Sequence, residues 1–146
     1  MPELSVIIPT YNCMQKKKNS IELVLDSINK QTFKKQLIEI IFIDNGSNDN
    51  TIDFITKWIF MHKKIFGQLH LAYNPEPSNR SKSRNIGVEA ASGEKLLFID
   101  DDTVLYSETL LDSLISKYYN RNTFFYGARR YWTIADWDSS NAPYYQ

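Results

Sequence analysis

The chain has one cysteine, Cys13, which rules out a disulfide framework and a cysteine-rich metal site and fits a reducing, cytoplasmic setting. It also lacks an excess charge of either sign: 17 Lys and Arg balance 17 Asp and Glu. Zero net charge gives no global attraction to nucleic acid or to an anionic membrane. No apolar run approaches the ~20 residues that cross a bilayer, so no membrane span is expected and any membrane association would be peripheral, at the inner face. The N-terminus enters a β-type run at Leu4 with no signal-peptide pattern. Glycine is sparse, at five residues, and none falls in a Gly-x-Gly-x-x-Gly or Gly-x-x-x-x-Gly-Lys phosphate loop. His62 and His70 stand apart, outside any metal-ligand spacing, and no Gly-x-Ser-x-Gly turn offers a nucleophile.

What is present suits one globular domain over residues 1–146, with 42% apolar and 23% charged residues. Leu4-Ser5-Val6-Ile7-Ile8 is a β-branched run stopped by Pro9 and predicts a first buried strand. A polar loop with Lys16-Lys17-Lys18 follows, and the lysines read as solvated surface. Ile21, Val24, Leu25 and Ile28 lie at helical spacing, which predicts a helix over 20–30 with Ser20 as its cap. A second strand is expected over 38–43, and a helix with Ile52, Ile55 and Ile59 on one face reaches the region of Phe66-Gly67. A third strand covers 69–73, a third helix 81–91 with Gly93 as C-terminal cap, and a fourth strand 95–99. Ser107 caps a fourth helix whose core face carries Leu110, Leu111, Leu114, Ile115 and Tyr118, and residues 123–132 read as a fifth strand. Four alternations of strand and helix predict an α/β layered fold with a mostly parallel sheet and right-handed crossovers.

In such sheets ligands bind outside the carboxyl ends of the strands. Pro9-Thr10-Tyr11, Asp44-Asn45 and Asp100-Asp101-Asp102 each follow a predicted strand there, so three polar clusters should converge on one edge. Three adjacent acids after a core strand repel one another. A divalent cation would explain them, since Mg2+ and Mn2+ take carboxylate oxygens and bridge to phosphates; a solvated acidic turn is the alternative. Alternation places Asp100 and Asp102 on one face and turns Asp101 away. Asp44 opens a turn with Asn45-Gly46, and a carboxylate there can also accept from the imide N–H of a uracil-like base. The stretch from Asp44 to Ile55 fails as an EF-hand, having Asp49 where glycine is needed and Ile55 where glutamate is needed. Arg80, Lys82 and Arg84 cluster at a helix N-terminus, where cations are unfavourable unless an anion joins them; Arg84 is favoured for that role over Lys82.

These segments together resemble the N-terminal part of family 2 glycosyltransferases, which have the GT-A fold, a Rossmann-like three-layer sandwich. The matching text is Leu4 to Asn12, Asp26-Ser27-Ile28 with Gln31-Thr32, Glu39 to Asp49, Ser83-Arg84-Asn85-Ile86-Gly87 with Ala90 to Glu94, and Phe98 to Asp102. The resemblance covers residues 4 to about 132 and implies an inverting, nucleotide-sugar-dependent transferase of the hexosyltransferase type, with a UDP-sugar favoured as donor. It places Pro9, Thr10, Tyr11 and Asp44 at the base, Arg84 at the nucleotide phosphates, Asp102 with Asp100 on Mg2+ or Mn2+, and Asp100 or Asp101 near the ribose. The implied acceptor is an unspecified glycan or lipid-linked hydroxyl, in polysaccharide biosynthesis.

The family's general base and acceptor region lie after the fifth strand. No family motif supports Asp136 or Asp138 as that base, so the expectation is a truncated domain with the donor half present and catalysis incomplete. An unpaired last strand would leave room for pairing between chains. A non-catalytic nucleotide-binding or scaffold module is the alternative. A nucleotidyltransferase is a weaker one, because Pro9-Thr10-Tyr11-Asn12 has no glycine- and lysine-rich loop.

Overall fold

The computed structural model describes residues 1–16, 20–77 and 79–118. The predicted fifth strand, Asp136 and Asp138 lie outside the described residues. The four remaining strands all form: β1 Leu4–Thr10, β2 Ile38–Asp44, β3 Gln68–Tyr73 and β4 Lys95–Phe98. They make one sheet in the order β3-β2-β1-β4, and every neighbouring pair is parallel. The helices are α1 Ser20–Asn29, α2 Thr51–His62, α3 Arg80–Ala90 and α4 Leu110–Tyr118.

Strand order and handedness decide which face each helix covers. From β1 to β2 to β3 the chain steps one way across the sheet, then β4 jumps back to the far side of β1. A right-handed crossover made in the opposite direction places its helix on the opposite face. Accordingly the larger core joins Val6, Ile8, Ile40 and Phe42 to α1, α2 and α4 through Val24, Leu25, Ile55, Trp58, Leu111 and Ile115. The other face is thin: Ile7, Ile41 and Ile43 pack with Ile86 and Ala91. There α3 sits so close that a Cβ on Gly87 would fall 2.4 Å from Ile7 Cγ2. All seven residues of β2 are buried, as a central parallel strand requires.

Several boundaries differ from expectation. β1 continues through Pro9 to Thr10, because Pro9 and Thr10 stay in register with Ile43 and Asp44. Ser20 is already helical rather than a cap, and its buried hydroxyl finds no partner among the described residues. Gly93 is not a left-handed cap. Ala91 closes α3 in extended conformation, and Gly93 instead donates its N–H to Ser5 Oγ at 2.9 Å, so close to the start of β1 that a Cβ would meet Ser5 N at 2.8 Å.

Candidate functional site

The order reversal at β1 creates a crevice between the carboxyl ends of β1 and β4, the position where open α/β sheets bind ligands. The polar segments foreseen from the sequence meet there. Thr10 ends β1 fully buried, with Oγ1 3.4 Å from Asp44 Oδ1, and Asn45 N–H donates to Thr10 O at 2.9 Å. Pro9, half-buried, holds the last turn of this strand in register beside Ile43. Tyr11 follows at the crevice edge and is 51% exposed. Asn12 then takes a left-handed conformation (φ 45°), which asparagine tolerates, and the chain reverses into a short turn at Cys13–Gln15.

Asp44 performs the turn role in full. Its Oδ2 accepts from Gly46 N at 3.0 Å and Ser47 N at 2.9 Å, and its Oδ1 accepts from Ser47 Oγ at 2.5 Å. Gly46 has φ +80°, a left-handed conformation that suits glycine. The following residues sew this turn to the β1–α1 loop. Asn12 N–H donates to Ser47 Oγ (2.9 Å), Asn48 N–H to Asn12 Oδ1 (2.9 Å), and Cys13 N–H to Thr51 Oγ1 (2.8 Å). Asp49, discounted above as a calcium ligand, accepts from Met14 N and Gln15 N, each at 3.1 Å. Burial pushes its carboxyl up, but these hydrogen bonds and those from Thr51 outweigh it and hold the pKa below the usual range.

On the α3 side, Asn74 at the end of β3 donates to Asn45 Oδ1 (2.9 Å), Asn79 O (3.0 Å) and Ser83 Oγ (2.9 Å), and Ser83 Oγ donates to Asn45 Oδ1. Asn79 caps α3 by accepting from Lys82 N at 3.0 Å. This network fixes the first turn of α3, and from the next turn Arg84 Nη2 reaches Asp100 Oδ1 at 2.9 Å. Lys82 points elsewhere, 3.9 Å from Glu76.

The three acids have three environments. Asp100 faces Arg84, Asp101 is buried under the β1–α1 loop, and Asp102 is exposed. β4 ends at Phe98 and Asp101 and Asp102 lie in a turn, so the run is not the extended segment on which the expected alternation rested, and Asp100 and Asp101 are separated by their different partners instead. Asp101 Oδ1 pairs with Lys16 Nζ at 2.5 Å, and Oδ2 accepts from Cys13 Sγ (2.9 Å) and Tyr11 N (3.3 Å). Lys16 is therefore not simply solvated surface: burial disfavours its charge, but the Asp101 hydrogen bond and charge prevail and raise its pKa. Beyond the acids, α1 anchors the chain: Ser27 Oγ accepts from Leu105 N (3.1 Å), and Gln31 Oε1 accepts from Leu111 N (3.0 Å). Sequence reasoning missed the anchoring by Asp49, Lys16, Asn74 and Gln31. No local signal marks them, although Gln31 and Asp49 lay inside matching text.

Among the described residues no three His, Cys, Asp or Glu side chains form a ready metal cage. The donor set still suits Mg2+ or Mn2+. Those ions bind through one or two carboxylates with phosphate and water completing the shell, and Asp102 and Asp100 offer hard oxygens of that kind.

The all-parallel sheet with helices on both faces and an acidic, Arg-flanked crevice at its order reversal is a doubly wound layout, and its likeness to solved glycosyltransferases identifies it as the GT-A fold. The sequence profile of glycosyl transferase family 2 matches residues 5–143, and the chain belongs to that family. It is 33% identical over 116 residues to the poly(ribitol-phosphate) beta-N-acetylglucosaminyltransferase TarS of Staphylococcus aureus, covering 77% of this chain and 18% of TarS. Residues 1–349 of S. aureus TarS in complex with UDP-GlcNAc superpose with TM-score 0.65 at 30% identity, over 80% of this chain and 32% of that one. The mannosyltransferase PcManGT from Pyrobaculum calidifontis, solved with GDP-Man and Mn2+, gives TM-score 0.68 at 27% identity, over 84% of this chain and 33% of that one. The chain thus spans a third or less of the length of these relatives. No described helix is long and apolar enough to cross a membrane.

Proposed function

We propose that this chain binds a nucleoside-diphosphate sugar, a UDP-sugar by preference, together with Mg2+ or Mn2+, and forms the donor half of an inverting hexosyltransferase. The observation that carries this reading is the crevice itself: the Asp100–Asp102 acids, Arg84 and Tyr11 gathered where β1 and β4 diverge. The relatives' complexes with UDP-GlcNAc and with GDP-Man and Mn2+ support it.

In this reading the base lies against Tyr11 and the strand end formed by Pro9 and Thr10. Asp44 shapes the floor through its turn, and a direct bond to the base would require it to release Ser47. Arg84 neutralises diphosphate charge. Asp102, with Asp100, holds the cation, and Asp101 stays beneath the ribose side of the pocket. The acceptor, a glycan or lipid-linked hydroxyl, attacks the anomeric carbon as the bond to the diphosphate breaks and the nucleoside diphosphate leaves. The cation supplies Lewis-acid stabilisation of charge on that leaving group. The proton of the attacking hydroxyl needs a general base, which none of the described crevice residues is assigned to be.

Calorimetry with UDP, GDP and a nucleoside triphosphate, each with and without Mn2+, tests the proposal. Metal-dependent UDP binding that Asp102→Ala abolishes is expected. Indifference of the wild-type chain to all three nucleotides would overturn it in favour of a scaffold role.

A further inference from the structure

Asp101 is the middle acid of the run, and its side chain is only 9% exposed. It does not face the open crevice. Its two oxygens gather three donors from one short loop: the Lys16 ammonium, the Cys13 thiol and the Tyr11 backbone N–H. The far side of the same loop is already bound to the β2–α2 turn through Ser47, Asp49 and Thr51. The β1–α1 loop is therefore a bridge, fixed at one end to β2 and at the other to the acidic turn after β4. Its exposed aromatic, Tyr11, and the outward acids Asp100 and Asp102 are held at one separation by that second attachment.

We propose that Lys16 and Asp101 are positioning residues for donor recognition. Their ion pair clamps the β1–α1 loop onto the Asp100–Asp102 turn, so that the base contact and the diphosphate–cation contact are presented together. The proposal rests on the donor-site reading above, adds Lys16 to it and gives Asp101 a positioning role. A buried carboxylate facing only a thiol and one amide would be under-compensated, because burying a charge is costly unless it is paired and hydrogen-bonded. Lysine suits the pairing role. Its flexible stem reaches the carboxylate from the loop while the side chain stays 37% exposed, outside the apolar core. Two walls held at fixed separation give a two-ended ligand an advantage that a one-ended ligand does not feel, since ordering is done before binding.

The test compares uridine, which engages only the base wall, with UDP plus Mn2+, which engages both walls. Binding to the full chain is read by NMR titration and calorimetry, and folding is checked by chemical denaturation. Lys16→Met and Asp101→Asn should each weaken UDP–Mn2+ binding by about tenfold or more, a typical coupling between linked sites, and Lys16→Met should leave uridine affinity unchanged. Lys16→Arg should restore UDP binding. The double variant should be no weaker than either single one, as expected for partners in one interaction. Wild-type-like UDP–Mn2+ binding by both variants would overturn the clamp, and so would additive losses, which would place Lys16 directly on the diphosphate. If Asp101→Asn does not fold, the comparison of Lys16→Met with Lys16→Arg decides the question. A wild-type chain that binds no nucleotide sinks the donor-site reading itself, whereas a binding wild type with unaffected variants sinks only the clamp.

Discussion

Arg84 Nη2 lies 2.9 Å from Asp100 Oδ1, joining the N-terminal half of α3 to the acidic turn after β4 across the crevice. Both side chains keep contact with water, at 40% and 28% exposure, and such pairs contribute about 1 kcal/mol or less. In the proposed donor-site reading the pair serves ligand charge more than stability. Arg84→Ala should shift the denaturation midpoint little while weakening UDP–Mn2+ binding by about tenfold, the scale of a lost charge-assisted contact. Parallel denaturation and calorimetry check both halves.

Glu39 is a further buried acid with a built environment, at the opposite end of the sheet from Asp44 and Asp101. Its carboxylate accepts from the Ser5 hydroxyl, from Ser92 N (2.8 Å) and Oγ (3.0 Å), and lies 3.3 Å from His70 Nε2. Burial pushes its pKa up, but the Ser5 and Ser92 hydrogen bonds and His70 outweigh it and hold it below the usual range. A depressed folded pKa adds stability above the unfolded value and loses it as pH falls through the folded one. Stability from Glu39 and Asp49 should thus be complete above pH ~5 and decline as pH drops below ~4. Glu39→Gln should cost about 1–3 kcal/mol at pH 7 and flatten the acid limb of a stability–pH curve measured by urea denaturation.

Gly87 sets how closely α3 approaches the sheet. An alanine methyl there would lie 2.4 Å from Ile7 Cγ2 and 3.1 Å from Ile43 Cδ1, both in fully buried side chains. Helix propensity favours alanine by about 1 kcal/mol, but overpacking of a rigid core costs about 1–3 kcal/mol. Gly87→Ala should therefore destabilise the fold, with a lower thermal midpoint as the readout.

Cys13 is fully buried and donates to Asp101. Burial first, and the neighbouring Asp101 charge second, push its pKa up, so the unreactive thiol form dominates at neutral pH. Native protein should resist a thiol-specific reagent and react only as fast as the chain opens. Rapid labelling at pH 7 without denaturant would contradict this.

Much of the architecture was readable from local pattern. Runs such as Ile38–Asp44, apolar and β-branched, specify buried strands, and the spacing of Ile21, Val24, Leu25 and Ile28 specifies a helix. Strand ends put Tyr11, Asp44 and Asp100 at one edge because parallel strands all point the same way. The failures were of another kind. Ser20 reads as a cap and Gly93 as a helix stop, yet tertiary contacts claim both positions: Ser20 is buried within α1, and Gly93 packs on Ser5.

The element order, the parallel α/β class and the family to which the strand-end motifs belong are all legible in the order of residues alone. Those properties follow from periodicity and composition over short windows. The division of the three acids among different partners emerges only in the folded chain. Asp100 turns to Arg84, Asp102 stays open, and Asp101 is taken by Lys16 from 85 positions away. No local rule pairs groups so distant. The pairing exists because β1 and β4 lie side by side in register, which brings the loop after one strand onto the acids after the other.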